Sequence, residues 1–260
     1  ICAAVRKVVE FQDLAYGRAY LDRLEHLLQA DESAGGALKN WAFTATAAKY
    51  LANAMAYDDI IRVADAKTRD GRFQRIEDEV GAGKTHLVRI TEYTHPGAAE
   101  VISLLPRRLG EWVENRDRLV SALDRLVNRG RHIRTDRVGG FLSLYLVAGL
   151  RRWRRSLLRN ERELAHIDAW IATAQTRLRY DYDLAVETLR MRRLVKGYSD
   201  TLARGLTKFD KVALGATLLE GRPDAADWTR RLTEAALKDE KGDALEGALK
   251  TVHSFVAESA

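Results

Sequence analysis

Cysteine is almost absent from this 260-residue chain: Cys2 is the only one. A single thiol excludes a disulfide framework and any iron–sulfur cluster held by a set of cysteine thiolates from these residues alone. A reducing, cytoplasmic setting is the expectation that goes with it. Proline is nearly as scarce, with only Pro96, Pro106 and Pro223 to interrupt regular structure. Long apolar runs are missing too. The longest, Phe141 to Leu150, falls far short of the roughly 20 residues a membrane span requires, so no membrane is expected among the partners.

Catalytic signatures are equally sparse. Six histidines (His26, His86, His95, His132, His166 and His253) are scattered, and none pairs with another at the i,i+4 spacing of a helical metal site. No metal ligands and no catalytic residues are therefore assigned. No Gly-x-Ser-x-Gly elbow occurs, and no Gly-x-Gly-x-x-Gly follows a strand pattern. Gly81-Ala82-Gly83-Lys84-Thr85 ends like a phosphate-binding loop, but Asp78 stands where that motif needs its first glycine. The expectation there is a helix C-cap and a turn.

What the chain does have is helical periodicity. With 46% hydrophobic and 31% charged residues, it reads as a helical protein with room for one large domain or two small ones. Apolar spacing predicts helices over about 4–29, 37–69 and 73–81, with Trp41, Ala45, Ala48, Leu51, Met55 and Ile60 facing a core. Further helices are expected near 97–104, 107–114, 116–129, 136–149, 151–179, 182–195, 196–219, 224–239 and 242–257. His86 to Tyr93 alternates with period two and is rich in β-branched residues, which predicts a strand. Arg131 to Thr135 is a second, placed to pair with it. The fold class is thus mainly α, a multi-helix bundle-like domain with at most a small two-stranded β ribbon. The expected division is 1–219 as a helical domain and 220–260 as a C-terminal helical hairpin that can pack on the same core.

The net charge of +6 is local. Arg151 to Arg162 holds six arginines and one glutamate, whereas Glu220 onward carries nine acids and six bases. Arg151, Arg152, Arg154, Arg155 and Arg159 are candidate docking residues for a partner. Nucleic acid, an acidic protein and coenzyme A phosphates fit this patch, as does a plain solvated helix end with arginine stems covering Trp153. Cations at a helix N-terminus oppose its dipole, which asks for a compensating partner.

The densest polar signal is Arg193-Leu194-Val195-Lys196-Gly197-Tyr198-Ser199-Asp200-Thr201-Leu202-Ala203-Arg204-Gly205. Read as one helix, it aligns Lys196, Asp200 and Arg204 on one face, beside Gly197, Thr201 and Gly205. Glycine inside a helix costs about 1 kcal/mol relative to alanine, so a small-residue stripe implies close approach of another backbone. A second block, Tyr57-Asp58-Asp59-Ile60-Ile61-Arg62-Val63-Ala64-Asp65-Ala66-Lys67-Thr68-Arg69, places acid–base pairs four residues apart. The candidate polar cluster joins Arg62, Asp65 and Lys67 to Lys196, Tyr198, Asp200 and Arg204. Mixed charges of this kind point to a lock between helices more than to a reaction centre.

These two blocks, with Arg89-Ile90-Thr91-Glu92-Tyr93-Thr94-His95-Pro96 between them, resemble the helical C-terminal region of the large form of the indolepyruvate oxidoreductase beta subunit. The likeness runs from about Phe11 to about Lys211. It departs at Ser199, where the family block has glycine, and at Leu202, where it has histidine. The resemblance implies a 2-oxoacid:ferredoxin oxidoreductase, in which aryl 2-oxoacids are oxidatively decarboxylated to acyl-CoA with ferredoxin as electron acceptor. It also implies that thiamine diphosphate, magnesium and iron–sulfur clusters sit on the catalytic alpha subunit, and that an α/β domain precedes Ile1. This chain has no Gly-Asp-Gly leading to an Asn-Asn pair, the thiamine diphosphate pattern. It is therefore expected to be a non-catalytic domain without a cofactor of its own, whose partners are the alpha subunit and ferredoxin. The alternative is a stand-alone helical module that binds nucleic acid or an acidic protein through the 151–162 patch.

Overall fold

The computed structural model describes residues 1–81, 88–239 and 241–259, and helices make up 78% of it. The mainly-α class expected from periodicity is the one observed. In chain order the α-helices begin with α1 (Cys2–Phe11), α2 (Leu14–Ser33), α3 (Ala42–Met55), α4 (Ile60–Thr68) and α5 (Asp70–Val80). Strand β1 (Thr91–Thr94) precedes α6 (Ala98–Ser103), α7 (Arg107–Glu114) and α8 (Asp117–Val127). Strand β2 (Arg131–Arg134) leads into α9 (Val138–Gly149). The chain finishes with α10 (Leu158–Leu178), α11 (Tyr182–Arg190), α12 (Ser199–Leu218), α13 (Ala225–Lys238) and α14 (Asp243–Ser259). Short 3-10 helices occupy Gly36–Lys39, Leu150–Ser156 and Met191–Leu194.

Several long helices expected from apolar spacing are broken, each for a local reason. The helix expected over 4–29 divides at Gln12, because Asp13 adopts extended backbone and its carboxylate accepts the Tyr16 N–H at 2.7 Å. That is an N-cap, and it starts α2 afresh. The helix expected over 37–69 divides twice. Asn40 and Trp41 sit in the left-handed region (φ 51° and 53°), and Asp59 caps α4 by accepting the Arg62 N–H at 2.6 Å. The face of α3 turns accordingly: Phe43, Ala47, Ala48, Leu51 and Met55 are buried, whereas Trp41 and Ala45 are outside. Residues 193–205 are not one helix either, since the chain turns at Gly197 (φ 76°) before α12 begins.

The chain forms two compact units, residues 1–57 with 163–260, and residues 58–162. The division does not fall at 219/220. In the first unit α1, α2 and α3 pack on one another, α3 meets α11, and α11 meets α13. Helices α12, α13 and α14 complete it, and Leu232, Ala236, Leu245, Leu249 and Val252 join the same apolar cluster as Tyr20, Phe43 and Leu51. Each fully buried leucine, valine or phenylalanine here stabilises by about 1.5–3 kcal/mol. Polar tips inside this core find backbone partners. Tyr20 Oη donates to Ala48 O at 2.9 Å, and Trp170 Nε1 donates to Thr188 O at 2.8 Å. Burial pushes the Tyr20 hydroxyl up to about 12. At Gly205 a Cβ would stand 2.6 Å from Leu194 O, so this glycine lets the preceding 3-10 turn press against α12.

The second unit is organised differently. Helix α4 packs along α9, while α6, α7 and α8 gather around a small cluster of Ala98, Ile102 and Leu158. Strands β1 and β2 pair antiparallel with Thr91 opposite Arg134 and Thr94 opposite Arg131. The pairing expected from sequence is therefore present, but the first strand is only four residues long: Val88 to Ile90 are not part of it, and its expected start at His86 and Leu87 lies outside the described residues. The same holds for Ala82 to Thr85, but the expected cap is observed at Gly81. It is left-handed (φ 67°), and its N–H returns to Asp78 O and Glu77 O, which closes α5.

Candidate functional site

In the second unit the acid–base pairs on α4 prove to be distinct devices. Asp59 accepts the Arg62 N–H and is also clasped by Arg154, with Nε at 2.9 Å and Nη2 at 3.2 Å from its two oxygens. Both side chains are buried, Arg154 at 2% and Asp59 at 4% exposure. Arg154 therefore leaves the docking set: it is an internal strut, because a charge this deeply buried requires a fixed counter-ion. Arg62 pairs with Asp58 at 3.1 Å and Arg69 with Asp65 at 2.6 Å, both at i,i+4 spacing on the exposed side. Lys67 reaches Glu92 at 2.6 Å, and Arg72 also bonds Glu92, tying α4 and α5 to β1. Burial raises the Glu92 carboxyl, but the hydrogen bonds and charges of Lys67 and Arg72 outweigh it and hold the group below the usual carboxylate range.

The remaining arginines of the basic run divide further. Arg162 forms a forked pair with Glu114, and Arg159 Nη2 donates to Asp58 O at 3.5 Å. Arg151 is half-buried. Arg152 and Arg155 are exposed, and the Arg152 guanidinium lies 5.9 Å from the ring centre of the exposed Trp153. What stays open to a partner is thus a pair of arginines flanking an indole.

In the first unit Lys196, Tyr198, Asp200 and Arg204 are all exposed. Lys196 and Tyr198 precede α12, so the four-residue alignment expected with Asp200 and Arg204 is not formed. Among the described residues no hydrogen bond or ion pair joins these four side chains to one another. Arg62, Asp65 and Lys67 belong to the other unit, where each has the partner given above.

The polar groups that the first unit does assemble were not singled out from sequence. Arg177, 1% exposed, donates to Glu220 Oε1 at 2.9 Å, Thr188 Oγ1 at 2.9 Å and Thr217 Oγ1 at 3.1 Å, joining α10 to α11 and the end of α12. Asp31 accepts from Thr44 N at 2.9 Å, Thr44 Oγ1 at 2.6 Å and Tyr182 Oη at 2.8 Å. Arg192 reaches Glu163 at 3.1 Å and His166 Nδ1 at 2.9 Å. Burial, with Arg192 adding to it, lowers the His166 imidazole to about 4. Glu187 shows the converse: burial raises its carboxyl, only partly offset by Arg190 at 2.6 Å. A usable signal existed, since Asp31 and Arg177 each occupy a position where the apolar stripe of its helix calls for a hydrophobic residue.

Chemically, these are struts and caps. Among the described residues no three His, Cys, Asp or Glu side chains are grouped as a metal site. An open groove of about 570 Å³ is lined by Ala30, Ser33, Ala34, Gln175, Leu178 and Arg179, a lining with no carboxylate, imidazole or thiol. The model of a family of unknown function, DUF6537, matches residues 1–214. This chain belongs to that family. No curated protein matches it, and no solved structure does. The family match spans both compact units and ends inside α12, so α13 and α14 lie beyond it although their side chains complete the first unit's core.

Proposed function

We propose that this chain is a non-catalytic helical domain of an indolepyruvate:ferredoxin oxidoreductase-like beta subunit. In this reading the whole enzyme oxidatively decarboxylates aryl 2-oxoacids to acyl-CoA, ferredoxin takes the electrons, and the domain supports assembly and docking. The observation that carries it is the use made of buried charge. Asp59–Arg154, Glu163–Arg192 and Glu220–Arg177 each join a buried cation to a carboxylate across elements, which builds a frame suited to support and docking. A second support is the backbone at Ser199, which is left-handed (φ 53°). Glycine adopts that conformation most easily, and glycine is what the oxidoreductase block carries there. Thiamine diphosphate, magnesium and iron–sulfur clusters belong to the catalytic alpha subunit in this reading, and the setting is cytoplasmic.

The alternative, a free-standing module for nucleic acid or an acidic protein, draws on Arg152, Arg155 and Trp153. With Arg154 internal and Arg162 paired, two open arginines are few for phosphate neutralisation, whose strength grows with each contact. An acidic protein is the better fit of the two.

The test supplies the purified chain with an aryl pyruvate, coenzyme A and oxidised ferredoxin, alone and together with the purified alpha subunit. The expected result is no carbon dioxide release by the chain alone and stable co-elution with the alpha subunit. Turnover by the chain alone overturns the reading. So does failure to bind the alpha subunit combined with salt-sensitive DNA binding that is lost in Arg152→Ala/Arg155→Ala.

A further inference from the structure

Helix α9 is apolar on every side. Residues 138–150, Val-Gly-Gly-Phe-Leu-Ser-Leu-Tyr-Leu-Val-Ala-Gly-Leu, contain no charge. A helix of that composition is normally buried all round, yet α4, β2 and the Phe73 ring of α5 cover only part of α9, with Leu144 pointing inward. The other side shows Val138, Leu142, Tyr145 and Leu146 to solvent at 83%, 49%, 58% and 64%. Their spacing of four, three and one puts them on a single stripe. The Tyr145 ring is held in place by stacking on Phe141, centroids 6.0 Å apart.

Charge frames this stripe. Beyond its C-terminal end the chain tightens into the 3-10 turn Leu150–Ser156. There, residues three apart eclipse one another, so Arg152 and Arg155 continue the line of Gly149. At the other end the exposed Arg137 is the N-cap of α9, where the helix dipole adds positive potential of its own. We propose that the outward face of α9, with Arg137 at one end and Arg152 and Arg155 at the other, is a docking site for an amphipathic partner helix. That helix carries an apolar stripe with carboxylates at both ends. A second copy of this chain is the wrong occupant. Pairing α9 on α9 in either direction brings arginine against arginine, and like charges juxtaposed at an interface oppose it. The inference stands apart from the oxidoreductase reading, because it requires no assignment of the partner's chemistry beyond acid and apolar side chains.

The probes are two fluorophore-labelled synthetic helical peptides with one leucine stripe, capped at both ends by glutamates in one and lysines in the other. Anisotropy titration of the intact chain is expected to show the glutamate peptide binding at least about tenfold more tightly than the lysine peptide, with the gap narrowing at high salt. Leu142→Glu/Leu146→Glu is expected to weaken the glutamate peptide at least about tenfold with the melting temperature held. Arg152→Glu/Arg155→Glu is expected to invert the preference between the peptides, a gain that a misfolded chain cannot produce. Equal affinity for both peptides, or no binding of either, overturns the proposal. So does dimerisation of the chain in sedimentation velocity that Leu142→Glu abolishes. Co-sedimentation with anionic phosphatidylserine vesicles without peptide binding overturns it in favour of a membrane surface.

Discussion

The two compact units hold themselves together by different means. Residues 1–57 and 163–260 share one apolar cluster that runs from Val8 to Val252, and their buried charges sit inside that cluster as joints. Among the described residues, 58–162 have a small cluster of Ala98, Ile102 and Leu158 and a second apolar contact where Ile61 and Ala64 of α4 meet Leu144 of α9, and they leave one apolar face of α9 outside. What supplements these small clusters is a set of ion pairs reaching far along the chain: Asp59 with Arg154, Glu92 with Lys67 and Arg72, Glu114 with Arg162. A unit with little apolar burial depends on pairs whose loss cannot be absorbed by repacking, whereas a unit with a broad core can spread a local defect over many neighbours.

The strongest way to break this comparison is Asp59→Ala. It removes the α4 cap and takes from the buried Arg154 the carboxylate that clasps it, for which about 3–5 kcal/mol is the expected loss. Hydrogen exchange should show amides of α4 and α9 losing protection while those of α3 and α11 keep theirs. Equal loss in both sets would contradict the contrast. A smaller effect is expected from Gly205→Ala, where the added methyl meets Leu194 O and the 3-10 turn has to shift, at about 1–3 kcal/mol by overpacking. Urea midpoints measure it, and a value near zero would mean that the approach of Leu194 to α12 is not tight.

The smallest effect concerns pH. His166 titrates near 4 when folded against an ordinary value of 6.5, so between these values the unfolded chain takes up a proton that the folded chain refuses. Stability should therefore be intact above about 6.5 and fall as pH drops toward 4. Because the ring is only partly buried, the loss is on the order of 1–2 kcal/mol after allowance for solvent screening. His166→Gln should flatten that part of the pH–stability curve. An unchanged slope would place the acid sensitivity elsewhere.

Sequence pattern reached some of this architecture and missed the rest for definable reasons. The 107–114 helix and the Gly81 cap follow from local chemistry and are where periodicity and turn residues place them, and the antiparallel ribbon forms with its first strand shifted to Thr91–Thr94. The breaks at Gln12 and before Asp59 were hidden because apolar spacing runs on through them, while a single capping aspartate decides the outcome. Gly205 was legible as a close-packing glycine, but Gly197, in the same stripe, serves a left-handed turn instead. Arg154 could not be told from its neighbours in a run of arginines. Its burial is set by Asp59, 95 residues earlier, and no local pattern carries information over that separation.

That separation bears on how the chain acquires its shape during synthesis. The carboxylate that starts α4 leaves the ribosome well before the guanidinium that completes its surroundings. Closing so long an interval costs chain entropy before any contact rewards it. Segment 58–162 is therefore expected to ripen late and all at once, with α4 still fraying until Arg154 arrives.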